Sequence, residues 1–548
     1  MSLKDVDNYD SRWEKPILFY NQYVKWGFYG VITLFLLWSL WTVRITPERF
    51  AYGLQEGAAL ADSAWPPNFS AENRLTIWNK TLETLAMAAI STAVGIVASL
   101  PLALIASRNL VPAPIYYIGR FLVASARAFH ALVIAIIAVL AVGFGPLAGI
   151  ITLSIKTIGF FSKLLSEEIE DIDPTQLEAI RATGAGRAQS LVYGVLPQIT
   201  RRFVALTIYR WDINIRTSTI VGIVGAGGIG QVLINSFESF EYDYTLAIVI
   251  VIVGLVLLGE VLSATVRARL ETGSEHGTET SSDKLDFDYT TWNRFTAKQR
   301  SARFGYSIVV LAVLFVSVLH LDMSLRYVAT AAESLADLGS RMWPPNLSIL
   351  PSLVDPLIIS AHIAILGTLF SVVLSVPVAF FAANNTTPNN ITYAVGRFVI
   401  TATRSVNVII WALIFVGMFG PGALAGVMAL AVRSIGFIGK LLSEAIEEID
   451  KTQVEAIRST GSSTAQTFVY SIVPQVLPAF IGIATYRWDS NIRASTVVGF
   501  VGGGGIGVAL QTATNTFKWS EALVILLVIL IVVLLSEGVA VYLRKKFI

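Results

Sequence analysis

The chain has 548 residues, 54% of them hydrophobic and 14% charged, with a mean hydropathy of +0.65 and a formal net charge of +2. Soluble globular chains are about 25% charged, so an ordinary water-soluble protein is excluded, and the small net charge argues against nucleic-acid binding through a basic surface. Cysteine is absent, which removes disulfides, iron–sulfur clusters and thiolate metal sites, and the four histidines (His130, His276, His320, His362) are too scattered for a His-rich metal site.

What remains is an all-α polytopic membrane protein. The first apolar run, 27–43, follows a polar stretch with Lys4, Arg12, Lys15 and Lys25 and is followed by no small-residue cleavage site. It reads as a retained span with residues 1–26 as a cytoplasmic tail. Runs near 82–106, 115–142, 146–162, 195–222 and 244–266 bring the count to six and close a first membrane domain, 27–266. A polar linker, 267–303, interrupts the pattern. Six more runs near 305–321, 358–382, 393–416, 423–440, 473–500 and 521–543 make a second domain, 304–548.

The two domains repeat each other. Pro66-Pro67-Asn68 recurs as Pro344-Pro345-Asn346. Lys163-Leu164-Leu165-Ser166-Glu167, Glu178-Ala179-Ile180-Arg181 and Tyr209-Arg210-Trp211-Asp212 recur at an offset of 277 as Lys440 to Glu444, Glu455 to Arg458 and Tyr486 to Asp489. An even number of spans per repeat makes the halves parallel, related by an axis along the membrane normal with a pathway between them. Lys and Arg set the orientation. The linker holds Arg267, Arg269, Lys284, Arg294, Lys298, Arg300 and Arg303, and the chain ends with Arg544-Lys545-Lys546, so linker and both termini lie inside. Residues 224–244 have no Lys or Arg but carry Glu238, Glu241 and Asp243, and lie outside; Arg44, Arg49 and Arg74 are exceptions to the rule.

Residues 163–197 form a cytoplasmic polar interruption between the fourth and fifth spans. Asp173-Pro174-Thr175-Gln176 predicts a helix start, with Asp as N-cap, Pro in the first turn and Gln completing a capping box. Asp450-Lys451-Thr452-Gln453 repeats it without the Pro, and each helix should stop at Gly184 or Gly461. Two matched short helices at the membrane face predict docking elements.

The Glu-Ala-Ile-Arg-(Ala/Ser)-Thr-Gly pattern, followed by Leu196-Pro197 or Val473-Pro474, resembles the EAA loop of ABC-importer permeases, and more narrowly those of phosphonate importers. The likeness extends over Trp65 to Asn68, Gly159 to Asp173, Val192 to Gln198 and Tyr209 to Gly230, with two copies fused in one chain. It departs at Arg127-Ala128-Phe129-His130 and Arg404-Ser405-Val406-Asn407, where the family pattern has a Pro-Glu pair after the Arg. The resemblance implies two six-helix halves of the type I ABC importer transmembrane fold in the cell (inner or plasma) membrane. It implies a non-enzymatic transport subunit, with ATP and Mg bound by two copies of a cytoplasmic ATP-binding subunit and an external solute-binding protein as the third partner. It also implies that Glu178, Ala179, Arg181 and Gly184, with Glu455, Ala456, Arg458 and Gly461, seat the ATPase.

The fifth spans carry the buried charges. Arg210, Asp212, Asn214 and Arg216, with copies Arg487, Asp489, Asn491 and Arg493, are candidates for the substrate path, since charge inside a bilayer faces a cavity or a partner. Helical spacing puts Arg210 with Asn214 on one face and Asp212 with Arg216 on another, an expected ion pair. Arg210 and Arg487 then lack a carboxylate in their own set, and the pseudo-two-fold axis predicts that they converge on a cavity suited to a small oxyanion. Glycines 225, 227, 228 and 230, repeated at 502, 504, 505 and 507, match G-x-G-x-x-G, but a dinucleotide site needs a βαβ unit. A non-helical turn at the outer end of the span, for close helix approach or as a gate, fits better. Glu260 and Glu537 recur in the sixth spans as helix-end groups or a proton relay. No G-x-x-x-x-G-K-[ST] occurs, so the chain should not hydrolyse ATP, and no cofactor is expected in it. The alternative is a secondary transporter driven by an ion gradient, which has no use for two matched docking helices.

Overall fold

The computed structural model describes residues 21–271, 297–321 and 326–547, all of it helix and turn. Residues 1–20 of the expected tail and 272–296 of the expected linker lie outside the described residues. The helices of the first half are α1 (Gln22–Val43), α2 (Pro47–Ala64), α3 (Ala71–Ile105), α4 (Ala113–Ala128), α5 (Ala131–Val142), α6 (Pro146–Glu170), α7 (Pro174–Ala182), α8 (Leu196–Ile223), α9 (Ile229–Glu238) and α10 (Tyr242–Glu271). The second half repeats them as α11 (Ala297–His320), α12 (Arg326–Met342), α13 (Leu350–Ala382), α14 (Asn390–Ser405), α15 (Val408–Phe419), α16 (Ala423–Glu447), α17 (Lys451–Ser459), α18 (Val473–Val498), α19 (Ile506–Asn515) and α20 (Trp519–Phe547).

Among the described residues eight helices have the length and apolarity of a span, or ten if each of two bent pairs counts as one. The two remaining runs of the sequence are α8, which carries Arg202, Arg210, Asp212 and Arg216, and α11, apolar only over Ile308–His320. The third spans are not straight, as the continuous runs 115–142 and 393–416 suggest. α4 meets α5 at 86° and α14 meets α15 at 92°. At each break a side chain caps the second segment: His130 Nδ1 accepts from Leu132 N (3.2 Å) and Asn407 Oδ1 from Ile409 N (3.2 Å). A cation from the fourth span caps the carbonyl end of the first. Lys156 Nζ donates to Phe129 O (2.7 Å) and Arg127 O (3.2 Å), and Arg433, at the same repeat position, donates to Val406 O (3.2 Å). Backbone groups freed by a break inside a membrane need such partners.

The halves interlock. α1 packs on α13 of the other half, where Ser39 Oγ lies 2.6 Å from the buried His362 Nδ1, and α11 packs on α3 in return. The outer helix α2, unseen by a search for apolar runs, rests on α15, with Gly53 against Phe419. Within each half the second and fourth spans pair closely. Gly95 of α3 lies against Thr157 of α6, and Gly367 of α13 against Leu430 of α16, contacts that a side chain would block. The repeated Pro-Pro-Asn segment pins the entry to that pair: Asn68 N donates to Asp243 O (3.0 Å) and Asn346 N to Ser520 O (3.2 Å).

Candidate functional site

The two short helices expected at 174–183 and 451–460 form as the sequence requires. Asp173 accepts from Thr175 N and Asp450 from Thr452 N, each at 2.9 Å, and these bonds hold the Asp450 carboxyl below its ordinary pKa. Both helices end two residues before a glycine at positive φ, 84° at Gly184 and 80° at Gly461. The expected capping box is replaced by a longer tie. The backbone N–H of Asp173 donates to Gln198 Oε1 of α8 (3.0 Å), and Asp450 N to Gln475 Oε1 of α18 (2.9 Å). Each glutamine amide also donates back to the π-helical turn before its span, at Gly194 O (2.8 Å) and Ser471 O (3.1 Å).

One face of each helix is buried, through Leu177 with Val195 and Ile199, and Val454 with Ile472 and Val476. The other is free: Glu178, Ala179, Arg181 and Gly184, and Glu455, Ala456, Arg458 and Gly461, are all exposed. The α7 and α17 segments are therefore pegs, tied to the fifth span on one side and exposed on the other.

Along α8, Arg210, Asp212 and Asn214 are 4%, 5% and 0% exposed, and their copies in α18 match. Arg216 pairs with Asp212 at 3.0 Å, and Arg493 with Asp489 at 2.7 Å, as spacing predicted. Arg210 Nε donates to Thr157 Oγ1 (3.0 Å) with its guanidinium 5.2 Å from the Phe160 ring centroid. Arg487 repeats this with Ser434 (2.7 Å) and Phe437 (5.3 Å). Asn214 joins Thr157 to Thr92, and Asn491 joins Ser434 to Thr368. These contacts all lie within one half, so Arg210 and Arg487 do not converge on a shared cavity. A hydroxyl and an aromatic face three residues apart on the fourth span make a slot that holds each guanidinium in place of a carboxylate. The hydroxyls Thr92, Thr157, Thr368 and Ser434 were missed by sequence reasoning, whose only signal for them was their recurrence between the halves.

The first glycine turn is buried, the second is buried except for the half-buried Gly502 and Gly504, and both are tightly bonded. Gly225, Gly227, Gly228, Gly502, Gly504 and Gly505 all have positive φ. Gly230 and Gly507 lie inside α9 and α19, where a Cβ would collide with the carbonyl oxygens of Thr219 and Thr496. Gly145 N donates to Gly225 O (2.9 Å), Gly422 N to Gly502 O (2.8 Å), Ile229 N to Thr84 Oγ1 (2.8 Å) and Ile506 N to Ser360 Oγ (2.8 Å).

A family model described as the binding-protein-dependent transport system inner membrane component matches residues 85–272 and again 375–548. The chain belongs to this family. It is also 33% identical over 514 residues to the phosphate-import permease PhnE of Mycolicibacterium smegmatis, covering 93% of this chain and 92% of that one. The phosphite transport system permease PtxC of Stutzerimonas stutzeri is 41% identical over 242 residues, 44% of this chain and 86% of that protein.

Arg216 and Arg493 both lie at the seam between the two copies. Arg216 shares the Glu260 carboxylate (3.6 Å) with Arg404 of the other half (3.4 Å). Arg493 lines a narrow cavity with His130 of the other half. Glu260 is thus tied to two arginines, while Glu537 is exposed. Among the described residues no group of His, Cys, Asp and Glu could hold a metal ion.

Proposed function

We propose that this permease is the membrane-spanning part of an ATP-driven importer for phosphonate or a related phosphorus oxyanion, phosphite or phosphate. The observation that carries the reading is the pair of matched pegs, each exposed at its Glu-Ala-x-Arg face and bolted through Gln198 or Gln475 to the span that bears the seam arginines. The phosphate and phosphite transport named for its relatives supports the cargo class. Two copies of a cytoplasmic ATP-binding subunit take the pegs, and ATP and Mg belong to that partner.

An external solute-binding protein delivers cargo to the outer face beside Glu238, Glu241 and Asp243. Both termini then lie in the cytoplasm, and the exposed apolar faces of α1, α11 and α20 meet the bilayer. Cargo passes between the halves along the fifth spans. Arg216 and Arg493 face it, while the Arg210, Asn214, Arg487 and Asn491 slots hold the walls. The glycine turns seal the outer end and act as the gate.

The test is uptake by proteoliposomes containing permease, ATPase subunit and binding protein, with phosphate, phosphite and methylphosphonate as cargo. Uptake should require internal ATP and survive ionophores that collapse ion gradients. ATP-independent uptake abolished by ionophores would instead make Glu260 and Glu537 part of a gradient-driven cycle.

A further inference from the structure

Glu260 shows what the seam arginines hold. Its carboxylate lies between Arg216, on the fifth span of the first half, and Arg404, at the break in the third span of the second half. An anion therefore already bridges two guanidinium groups across the seam. At the repeat offset, the equivalent arginines are Arg493 and Arg127, at the break in the first half. Arg493 lines one cavity with His130, and Lys156 reaches the carbonyls of Arg127 and Phe129 beside it. The equivalent carboxylate, Glu537, is exposed and forms no ion pair with a described side chain. This break has the cations without the internal anion.

Its remaining groups are donors. Lys156 spends two N–H bonds on the carbonyls of Arg127 and Phe129 and has a third. His130 Nδ1 accepts the Leu132 N–H, which puts the ring proton of a neutral imidazole on Nε2. The positive end of the α5 dipole adds to the same side. Asp489 is the carboxylate paired with Arg493, at 2.7 Å, against the three cations Arg127, Lys156 and Arg493. Guanidinium forks with an excess of positive charge match a small tetrahedral oxyanion in geometry and in charge.

We propose that Arg127, His130 and Lys156, with Arg493 reaching over from the second half, form a resting station for the phosphorus oxyanion on its way between the halves. Glu260 fills the equivalent place at the other break as a permanent internal anion, so the fused chain offers one station and not two. The inference rests on the cargo class proposed above. The cavity lined by His130, Val133, Arg493 and Thr496 is about 20 Å³, room for a single water, so the station is shut in this conformation and forms as the halves part.

The absence of native cysteine makes the test clean. Thr496→Cys places one thiol on the cavity wall, and Val133→Cys gives a second position should the first disturb folding. Labelling by a cationic methanethiosulfonate is followed in the reconstituted complex during ATP turnover. The probe is whichever of inorganic phosphate, phosphite or methylphosphonate the cysteine-free permease imports, against chloride at matched ionic strength. The oxyanion is expected to slow labelling several-fold. Adding Arg493→Gln or Arg127→Gln should abolish that protection while the thiol still labels. Arg404→Gln should leave it intact. If the cysteine-free permease imports none of the three, the cargo reading fails, and the station with it. If it imports one that gives no protection, or if Arg404→Gln and Arg127→Gln remove protection equally, the single-station proposal is overturned while the cargo reading stands.

Discussion

The two copies agree closely at the end that bears the pegs and differ at the seam. At the pegs, Asp173 to Gln198 and Asp450 to Gln475 are nearly superimposable bonds, 3.0 and 2.9 Å. Nearby, Glu170 takes the Arg108 amide and the Arg120 side chain, and Glu447 takes the Asn384 amide and the Arg397 side chain. At the seam, His130 stands opposite Asn407, Lys156 opposite Arg433, and an engaged Glu260 opposite an exposed Glu537. Ser536 donates to Asp489 (2.9 Å), and the same repeat position in the first half is Gly259. At the glycine turns, Glu83 accepts from the Gly228 amide (2.9 Å) in the first half, while the second-half turn is held through Ser360. In the importer proposed above, two copies of one partner require two like surfaces. A single asymmetric cargo between the halves would place no such demand, and there the duplicates would be free to specialise.

The comparison breaks most visibly if the pegs are not equivalent. Replacing both Glu178 and Glu455 with Ala should release the ATPase in co-purification and reduce uptake to background, with the permease still in the membrane at its normal level. The two single variants should lose coupling to the same extent as each other. A large difference between them would show that the symmetric end hides a functional asymmetry.

The buried ion pairs sharpen it next. Removing one partner of a buried pair costs about 3–5 kcal/mol, because the other charge is left without compensation. Asp489→Ala should reach that range, since Arg493 forms its described ion pair with Asp489 and the Ser536 hydroxyl loses an acceptor too. Asp212→Ala should cost less, because Arg216 keeps Glu260. Thermal unfolding of the purified permease reads both, and equal losses would show that Glu260 does not support Arg216. Glu83→Ala should come third, at about 1–3 kcal/mol, by stranding the Gly228 amide and the Lys80 ammonium.

What could be read from the sequence follows from the range of each interaction. The caps at Asp173 and Asp450, the stops at Gly184 and Gly461 and the Asp212–Arg216 pair lie within a few residues, so spacing alone fixed them. The Gln198 tie spans 25 residues, and nothing local separates it from a capping box to Gln176. The destination of Arg210 depends on Thr157, 53 residues away, and its burial inside one half was therefore illegible. The third-span break was hidden for the same reason. The run 115–142 is apolar on both sides of it, and the cation that caps its open carbonyls is Lys156, on another helix. The interlock of α1 with α13 could not be read either, because an apolar surface suits a lipid tail and a neighbouring helix equally well.

The smallest effect belongs to the peg caps and tests whether their bonds act independently of a docked partner. The Thr452 amide, with further bonds from the Thr452 and Gln453 side chains, holds the Asp450 carboxyl below its ordinary value. A carboxylate with a depressed folded-state pKa stabilises the fold above its unfolded pKa. That contribution fades as pH falls from the ordinary carboxylate range through the lower folded value. It does not change between neutral pH and the onset of that range. Hydrogen exchange of the α17 amides in the isolated permease, corrected for intrinsic rates, should therefore be level at neutral pH and quicken only on acidification below the normal Asp range. Asp450→Asn keeps an acceptor for the Thr452 amide but cannot titrate, so its exchange should lose this pH dependence. Loss of protection beginning nearer neutrality, or an unchanged acid response in Asp450→Asn, would place the sensitive group elsewhere and remove the cap from the account of peg rigidity.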